Sequence, residues 1–390
     1  VKPYALSSLG NLDAIDGLVV SYQNSSIAQK ASAEILLGER KASGRLPVSI
    51  APSYPVGTGI TLVGPTELGT GTPLEVGLMP ERLSRIDTLA QIAMDSLMTP
   101  GMQILVAHHG KVVFNKSYGY HTYEKKRAVT NTDIYDLASL TKVLATLPMV
   151  MKEVDLGKLT LDTQLGTLNE AWNTSNKADI SIQEMLSHYA RLTPWIPFYK
   201  ETLKANPLKL NKKFYRKRQS KRFPVVIADR FYGKNNLSKL ISDQILASEL
   251  RDTLEYKYSD IPYFFMKDLL EDRYQKSLET LAVDTFYKPL GLVRTGFNPN
   301  KNTPNQTVIP SEIDTYYRNQ ELKGEVHDMA AAMLGGVGGH AGLFSNASEV
   351  AILMQLFLQK GRYADKQYFS SATFDQFNQC LYCDQGNRRG

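Results

Sequence analysis

The chain has 390 residues, 43% of them hydrophobic and 22% charged, so it is longer than one small domain requires and can bury a large core. Two cysteines exclude a disulfide-rich scaffold, and the absence of any run of about eighteen apolar residues predicts no membrane span. The formal net charge is +6, but residues 209–222 hold eight cations and no acid; without those eight the net charge is −2, so the basicity is one local patch.

Residues 1–60 begin with a β-α-β pattern. A short apolar run covers Gly17–Tyr22, a helical pattern runs from Asn24 to Gly38, and a second strand is predicted at Pro47–Ala51. This unit is too small to bury its own core, so we expect it to be the last part of a larger α/β domain. The first residue is not Met and no secretion signal is visible, so the chain is expected to be a piece of a longer protein.

Residues 53–78 are rich in Gly, Pro and Thr, and we assign 61–78 as a linker. A new composition begins at Met79, where apolar residues at helical spacing predict an amphipathic helix with Leu83, Ile86, Leu89, Ile92 and Leu97 on one side. The segment QILVAHHGKVVFNKSYGY then predicts a β-hairpin that turns at His109-Gly110.

Several further helices are predicted in the rest of the chain. One is expected to be capped by Asp136 and stopped by Gly157, a short one covers residues 181–192, two lie near 237–251 and 261–291, and the last clear one begins at a Ser348 cap.

Ser139 and Lys142 form the sharpest chemical feature, an S-x-x-K spacing. Residues three apart on a helix share a face, and a serine near the helix start lies in the positive end of the dipole. A desolvated lysine can lose its proton and accept one from a nearby hydroxyl, which makes Ser139 a candidate nucleophile. Spacing alone favours a capping serine beside a surface lysine, but the mostly apolar neighbours weaken that interpretation.

A second element, Tyr256-Lys-Tyr258-Ser-Asp260, follows about 116 residues later and precedes an apolar helical stretch. A tyrosine with a short polar residue two positions on is similar to the second active-site element of serine β-lactamases and penicillin-binding proteins. The wider sequence resembles the family of class C β-lactamases, DD-peptidases and esterases. The resemblance rests on QILVAHHGKVVFNKSYGY, IYDLASLTKVLAT, GKLTLDTQLG, SIQEMLSHYARL, YKYSDIPYFFMKDLLE and GGHAGLFSNASEVAILMQLFL, in this order.

This resemblance implies an α/β fold over residues 79–390, in which an antiparallel sheet is flanked by helices beside an all-helical region. It implies that Ser139 is the acylating nucleophile, that Lys142 and Tyr258 share its proton, and that backbone N–H groups hold the oxyanion. No cofactor or metal is needed. Asp260 stands where many relatives have Asn, so it can carry a charge and pair with Lys142.

The family's third motif, Lys-Thr-Gly or His-Thr-Gly on a strand beside the site, has no clear counterpart. His340-Ala-Gly342 invites that assignment, but GHAGLFS matches a segment that precedes the third motif in the family. We therefore expect a truncation at the C-terminal end. His340 and Asp260 are assigned as candidate substrate-binding residues, and the alternative for His340 is a buried turn histidine.

The segment ASAEILLGERKASGRLPVSIAPSYPVGTGI resembles the end of the C-terminal α/β domain of family 3 glycoside hydrolases. This resemblance implies that residues 1–60 are the tail of a glycosidase domain in the same parent chain, plausibly a β-N-acetylglucosaminidase. Its catalytic residues would lie upstream.

The predicted function is acyl transfer to water through a Ser139 ester, with a small-molecule or peptidoglycan-derived substrate: a wall peptide, a β-lactam or a simple ester. One alternative assigns the activity to the parent glycosidase, and another makes this module a non-catalytic appendage. Both resemblances imply the bacterial periplasm or cell envelope. No nucleic-acid partner is expected.

Two other features have weaker interpretations. The 209–222 run could contact an anionic polymer such as nucleic acid, lipid headgroups or wall teichoic material, but a solvated, mobile insertion is favoured. Cys380 and Cys383 have C-x-x-C spacing without a second pair, so two free thiols or one local disulfide is favoured over a metal site.

Overall fold

The computed structural model describes residues 17–37, 40–50, 54–62, 67–204 and 211–385. The α-helices are α1 Ser26–Leu36, α2 Pro80–Leu83, α3 Arg85–Asp95, α4 Leu147–Asp155, α5 Glu170–Asn173, α6 Ile182–Leu186, α7 Leu237–Ala247, α8 Ile261–Tyr274, α9 Leu278–Ala282, α10 Pro299–Asn302, α11 Met329–Met333, α12 Ala347–Leu358 and α13 Ser371–Phe377. Two π-helical turns, Lys142–Thr146 and Val283–Tyr287, adjoin α4 and α9. None of the described helices is both long and apolar enough to cross a bilayer.

Within the described ranges, the strands form five small sheets. Their bounds are β1 Gly69–Thr70, β2 Gly101–His108, β3 Lys111–Gly119, β4 Tyr135–Asp136, β5 Tyr215–Arg216, β6 Val225–Ala228, β7 Phe231–Gly233, β8 Gly296–Phe297, β9 Glu312–Asp314, β10 Gln320–Leu322, β11 Leu343–Ser345, β12 Arg362–Tyr363 and β13 Lys366–Gln367. The sheet orders are β1-β3-β2, β4-β11-β8, β5-β7-β6, β9-β10 and β12-β13.

The predicted hairpin is confirmed, because β2 and β3 pair antiparallel from Gly101↔Gly119 to His108↔Lys111. The turn residues His109 and Gly110 both have positive φ values, 50° and 77°. Consecutive left-handed residues match the right-handed twist of the flanking strands, which explains the tight two-residue connection. Strand β1 pairs parallel to β3, so residues 69–70 of the predicted linker join the sheet.

The amphipathic helix predicted from Met79 is present as α2 and α3, but its apolar side does not face the core. Leu89 is 64% exposed and Ile92 is 52% exposed, whereas Ala90 is buried. Polar contacts attach α3 to β3 instead, since Asp87 accepts from Tyr118 Oη at 2.6 Å and pairs with Lys116 at 2.8 Å. The predicted helix is therefore present, in two segments, with part of its apolar side exposed.

The N-terminal part shows the predicted helix, α1, but not the predicted strands. Residues 17–22 form no strand with a described residue, and the second segment contributes one isolated bridge, Ile50↔Tyr54. Ala42 and Leu62 form another such bridge. A strand is defined by its neighbour, and the described part of the chain supplies none here. Part of the second predicted strand lies outside the described residues.

The hydrophobic core surrounds the helix that follows Ser139. Leu144, Met149, Val150 and Met151 are at most 3% exposed, and they belong to one buried cluster with most of α8. The helix that follows Ser139 therefore lies within the main hydrophobic core. Strand β11 pairs antiparallel with β4, which joins the segment before Ser139 to the segment after His340.

Two local predictions need correction, and the structure decides between the two favoured interpretations of the cysteines. The last long helix, α12, is capped by Asn346, whose side chain accepts from Glu349 N, and not by Ser348. The helix predicted over 261–291 ends at Tyr274 because Gln275 adopts a left-handed conformation at φ 51°. Cys380 and Cys383 are joined by a disulfide, one of the two favoured interpretations.

A fully buried ion pair fixes the turn between β9 and β10. Arg318 Nε lies 2.6 Å from Asp314 Oδ2, and the guanidinium also donates to the carbonyls of Val326 and His327 at 2.6 Å. The Asp314 carboxylate accepts from three backbone N–H groups, those of residues 316–318. Every charge in this network is compensated.

Replacing Arg318 by alanine should lower the free energy of unfolding by about 3–5 kcal/mol, because it leaves the Asp314 carboxylate buried without its cation. Urea denaturation measures the change. Exposed Lys323, replaced by alanine, is the control and should change stability little. A loss in Arg318→Ala no larger than in the control would contradict the prediction.

Candidate active site

A sharp turn at the end of β4 presents Ser139. The Asp136 carboxylate accepts from Ala138 N at 2.8 Å and from His327 N at 2.7 Å. Asp136 therefore braces the turn from the last position of β4 and does not cap the helix as predicted. Ala138 has φ 45°, a left-handed conformation that costs energy for a residue with a side chain. Ser139 follows as an exposed residue at the start of the helical run.

The Ser139 N–H makes no hydrogen bond to any described residue, as is usual in the first turn of a helix. The next three N–H groups turn back to Leu137, Ala138 and Ser139 carbonyls. A donor that points away from the helix beside an exposed hydroxyl is available to an oxygen bound there.

The Lys142 side chain is only 3% exposed and reaches three oxygen atoms. Its Nζ donates to Ser139 Oγ at 2.8 Å and to the His340 carbonyl at 3.1 Å, and it lies 2.7 Å from Asp260 Oδ1. The predicted contact between the two motif residues is therefore present. Lys142 and Asp260 thus form an ion pair beside Ser139.

The phenol of the second element lies close to the same amine. Lys142 Nζ is 5.2 Å from the ring centroid of Tyr258 and 5.5 Å from that of Tyr263. Such distances allow a cation–π attraction. Tyr258, Asp260 and Lys142 thus meet, although about 116 residues separate the two elements.

Sequence reasoning missed His188, which supports the second element. The His188 ring lies 4.6 Å from the Tyr258 ring, and its Nδ1 accepts from Ser259 N at 3.2 Å. Ser259 Oγ in turn donates to the Thr193 carbonyl at 2.7 Å. The SIQEMLSHYARL segment contains His188, but no pattern in that segment indicates a contact with Tyr258 or Ser259.

His340 meets the site through its backbone. Its carbonyl accepts from Lys142, while the imidazole is 2% exposed and stacks on Phe264 at 4.3 Å. Imidazole Nε2 lies 2.8 Å from Asp328 Oδ1. The side chain is buried, which agrees with the alternative of a buried turn histidine, and a role in substrate binding stays a prediction.

Asp328 links His340 to helix α11 by capping that helix. Its Oδ1 accepts from Ala331 N at 2.7 Å as well as contacting His340. Burial alone would raise the pKa of the Asp328 carboxyl, but the His340 ring and the Ala331 N–H hold that pKa well below its usual range. The charged carboxylate is therefore part of the folded state.

Replacing Asp328 by asparagine should lower the free energy of unfolding at neutral pH by about 1–3 kcal/mol. A carboxyl whose pKa is lower in the folded than in the unfolded state stabilises the folded state at pH values above its unfolded pKa. That contribution is lost as the pH falls through the unfolded pKa toward the folded pKa. The difference in the free energy of unfolding between the parent protein and the variant should therefore be smaller at about pH 3 than at about pH 7. Urea denaturation at both values tests this, with exposed Asp365→Asn as control. A difference independent of pH would contradict the prediction.

A cavity of about 270 Å³ adjoins the helix that follows Ser139. Val143 and Leu147 line it from positions one and two turns after Ser139, and Tyr263 lines it from α8. The other lining residues are Leu161, Gln183, Leu186, Ser187, Gln376, Phe377, Gln379 and Leu381. Its wall is mostly apolar, and Ser139, Lys142 and Tyr258 are not among the residues that line it.

Comparison with known proteins gives consistent results. The family model described as Beta-lactamase matches residues 86–377. A Salmonella typhimurium protein, provisionally named a D-alanyl-D-alanine carboxypeptidase, is 30% identical over 337 residues, which cover 80% of this chain and 72% of that protein. An Escherichia coli O157:H7 protein with the same name is 28% identical over 342 residues, covering 80% and 71%.

Solved structures share the fold at low identity. A penicillin-binding protein homologue from Pyrococcus abyssi, described as octameric, matches with a TM-score of 0.56 and 17% identity over 76% of this chain and 60% of that one. A class C β-lactamase from Rhodobacter sphaeroides matches with a TM-score of 0.54 and 13% identity, over 75% and 70%. These matches confirm the predicted α/β fold of the β-lactamase and penicillin-binding protein type. They do not show the predicted glycosidase fragment.

Proposed function

Because this chain belongs to the beta-lactamase family, we propose that it is a serine hydrolase that transfers an acyl group to water through an ester on Ser139. The observation that carries the proposal is the 2.8 Å contact between Ser139 Oγ and the buried Lys142 Nζ. A hydroxyl open to solvent and hydrogen-bonded to a buried amine is the arrangement expected of an activated nucleophile.

The proposed reaction has two stages. Ser139 Oγ bonds to the substrate carbonyl carbon, the oxyanion accepts from the free Ser139 N–H, and the C–N or C–O bond then breaks. The leaving group takes up the proton that came from the hydroxyl. Water next attacks the ester, its proton returns to Ser139 Oγ, and the carboxylic acid departs.

Lys142 and Tyr258 are proposed to carry the proton between these steps. As an ammonium, Lys142 donates to Ser139 Oγ and must release one proton before it can accept another. Asp260, 2.7 Å from Nζ, is the nearest group that can take it. The Tyr258 phenol, whose ring centroid is 5.2 Å from Nζ, is the second candidate carrier.

We propose a peptide ending in D-alanyl-D-alanine as the substrate, because two relatives covering most of the chain carry that name. Such a substrate comes from peptidoglycan and implies action in the cell envelope. The leaving group is then D-alanine, and the acyl half of the peptide remains on Ser139.

The test is release of D-alanine from a short peptide ending in D-Ala-D-Ala, with the L-Ala-L-Ala peptide as control. In parallel, the protein is incubated with a fluorescent penicillin and a fluorophosphonate, and adducts are located by mass spectrometry. We expect release from the D,D-peptide alone and an adduct on the Ser139 peptide. Neither turnover nor adduct would refute the proposal and favour a non-catalytic appendage.

The relation of residues 1–60 to a family 3 glycosidase also stays a proposal, supported by the quoted sequence segment and by α1. A chromogenic N-acetylglucosaminide tests the alternative that glycoside hydrolysis is the activity. This chain should not cleave it, because the catalytic residues implied by that resemblance lie upstream. Cleavage by this chain would contradict the assignment.

A further inference from the structure

The basic run forms a defined surface, which we call the basic surface: the seven cations Lys212, Lys213, Arg216, Lys217, Arg218, Lys221 and Arg222. We propose that the basic surface binds a linear polymer that carries repeated phosphates and no bases. This inference is independent of the acyl transfer proposed above.

The charges of the basic surface are unneutralised within the described chain. Six of the seven cations are exposed, and Arg216 is half-buried. No ion pair joins any of them to another described residue, although many other lysines and arginines of the chain are paired. Mutual repulsion among close cations destabilises the folded state. A bound polyanion would neutralise these charges, and the release of its own counterions would favour binding further.

The basic surface is anchored to a folded sheet. Its first half contains strand β5, which pairs with β7, and Tyr215 of β5 is 1% exposed with its hydroxyl 3.0 Å from that of Tyr317. Its second half turns back at a bridge between Ser220 and Phe223. The Arg216 guanidinium lies 4.4 Å from the ring centroid of buried Phe223. A fixed array loses less conformational entropy on binding than a mobile insertion.

The neighbouring aromatic rings disfavour single-stranded nucleic acid as the partner. Single strands bind through exposed rings on which bases stack. Phe223 is buried with Arg216 on its face, and Phe214 is half-buried beside Lys213, whose Nζ lies 5.3 Å from the ring centroid. The basic surface can therefore pair with phosphates but offers no stacking platform among its described residues.

A lipid surface is disfavoured because the basic surface has no apolar group to insert. Between residues 211 and 233, Val226 is the one large hydrophobic residue that is exposed among those described. Peripheral binding to a bilayer usually combines cations with buried apolar area. A surface that has cations but little exposed apolar area is better suited to an extended polyanion in solution.

The basic surface belongs to the same packed body as the site. Val225 of β6 approaches Gly335, and β6 packs on α11, the helix capped by Asp328. Asp328 contacts His340, whose carbonyl accepts from Lys142. A polymer bound here would be held on the structural unit that carries the nucleophile.

The experiment measures binding of fluorescent long-chain polyphosphate by anisotropy at several salt concentrations. The variant is Lys217→Gln, Arg218→Gln, Lys221→Gln and Arg222→Gln together, which keeps Arg216 on Phe223. The matched control removes four exposed lysines elsewhere, Lys125, Lys288, Lys301 and Lys366, also by glutamine. With about six phosphate contacts, affinity should fall roughly 10³-fold between about 50 and 200 mM salt.

We expect the four-site variant to lose affinity at least about tenfold and to show a shallower salt dependence, while the control binds like the parent. Equal losses in both variants would overturn the proposal, because the effect would then be net charge alone. Oligodeoxythymidylate and phosphatidylglycerol vesicles are competitors. Tighter binding of either than of polyphosphate, at matched charge, would also overturn it. Labelling at Ser139 should be the same in all variants, which separates this result from the proposed function.

Discussion

Replacing Ser139 by alanine should abolish the penicillin and fluorophosphonate adducts and lower D-alanine release by at least about 10³-fold. The hydroxyl is the only atom of the site that the proposed mechanism bonds to substrate, and alanine removes it without adding bulk. Ser139 is exposed, so the substitution leaves no buried cavity. The thermal unfolding midpoint should therefore stay close to that of the parent.

Two serines control for the identity of the nucleophile. Ser259 is the rival inside the second element, but its hydroxyl donates to the Thr193 carbonyl and accepts from Ile261 N, so both of its hydrogen-bonding functions are used by the fold. Ser348 lies away from the site and contacts Asn115. An adduct on the Ser259 peptide, or a Ser348→Ala loss equal to that of Ser139→Ala, would refute the assignment.

The spacing of Ser139 and Lys142 could be interpreted from the sequence because their contact is local. Helical geometry brings side chains three residues apart together whatever the rest of the chain does. Tyr258 and Asp260 were found differently, through the order of motifs in a resembling family. No propensity or periodicity specifies a contact across 116 residues, so their position depended on that resemblance.

The supporting residues were not predictable, for the same physical reason. Asp328 and His188 act through tertiary contacts with His340 and Ser259, and neither sits in a sequence pattern that announces such a contact. Periodicity also failed for α3, where it identified an apolar side but could not say what covers Leu89 and Ile92. The prediction of the hairpin succeeded because its turn residues and the alternation of apolar and polar residues are both local signals.

Asp260 changes how the site's electrostatics should be interpreted. The sequence predicted a lysine that is desolvated and can therefore lose its proton, and the Lys142 side chain is indeed buried. However, the Asp260 carboxylate lies 2.7 Å from Nζ. Burial disfavours the charged form of an amine whereas a neighbouring carboxylate favours it, so these two features of the site oppose each other.

Replacing Lys142 by alanine should lower acylation of Ser139 by about 10²–10⁴-fold, the contribution usual for a positioned proton carrier. The measurement is the rate of adduct formation with fluorescent penicillin, followed over time. This variant also leaves the Asp260 carboxylate in the site without its cation, which disfavours the negative charge that forms on the oxyanion. Both effects slow the reaction.

The double variant Lys142→Ala with Asp260→Asn separates the two effects. Asparagine removes the uncompensated charge, so the double variant should recover part of the rate while staying at least about 10²-fold below the parent. Asp260→Asn alone should change the rate at neutral pH by no more than about tenfold, since it keeps the amine. Full recovery in the double variant would mean that Lys142 only neutralises Asp260.

Lys142→Arg tests proton transfer itself. Arginine keeps the positive charge next to Asp260 but cannot be deprotonated in proteins, so it preserves the ion pair and removes the base. If Lys142 carries the proton, Lys142→Arg should be as slow as the double variant at every pH tested. If the charge alone assists the reaction, Lys142→Arg should approach the parent rate, and the phenol of Tyr258 would then be left as the proton carrier.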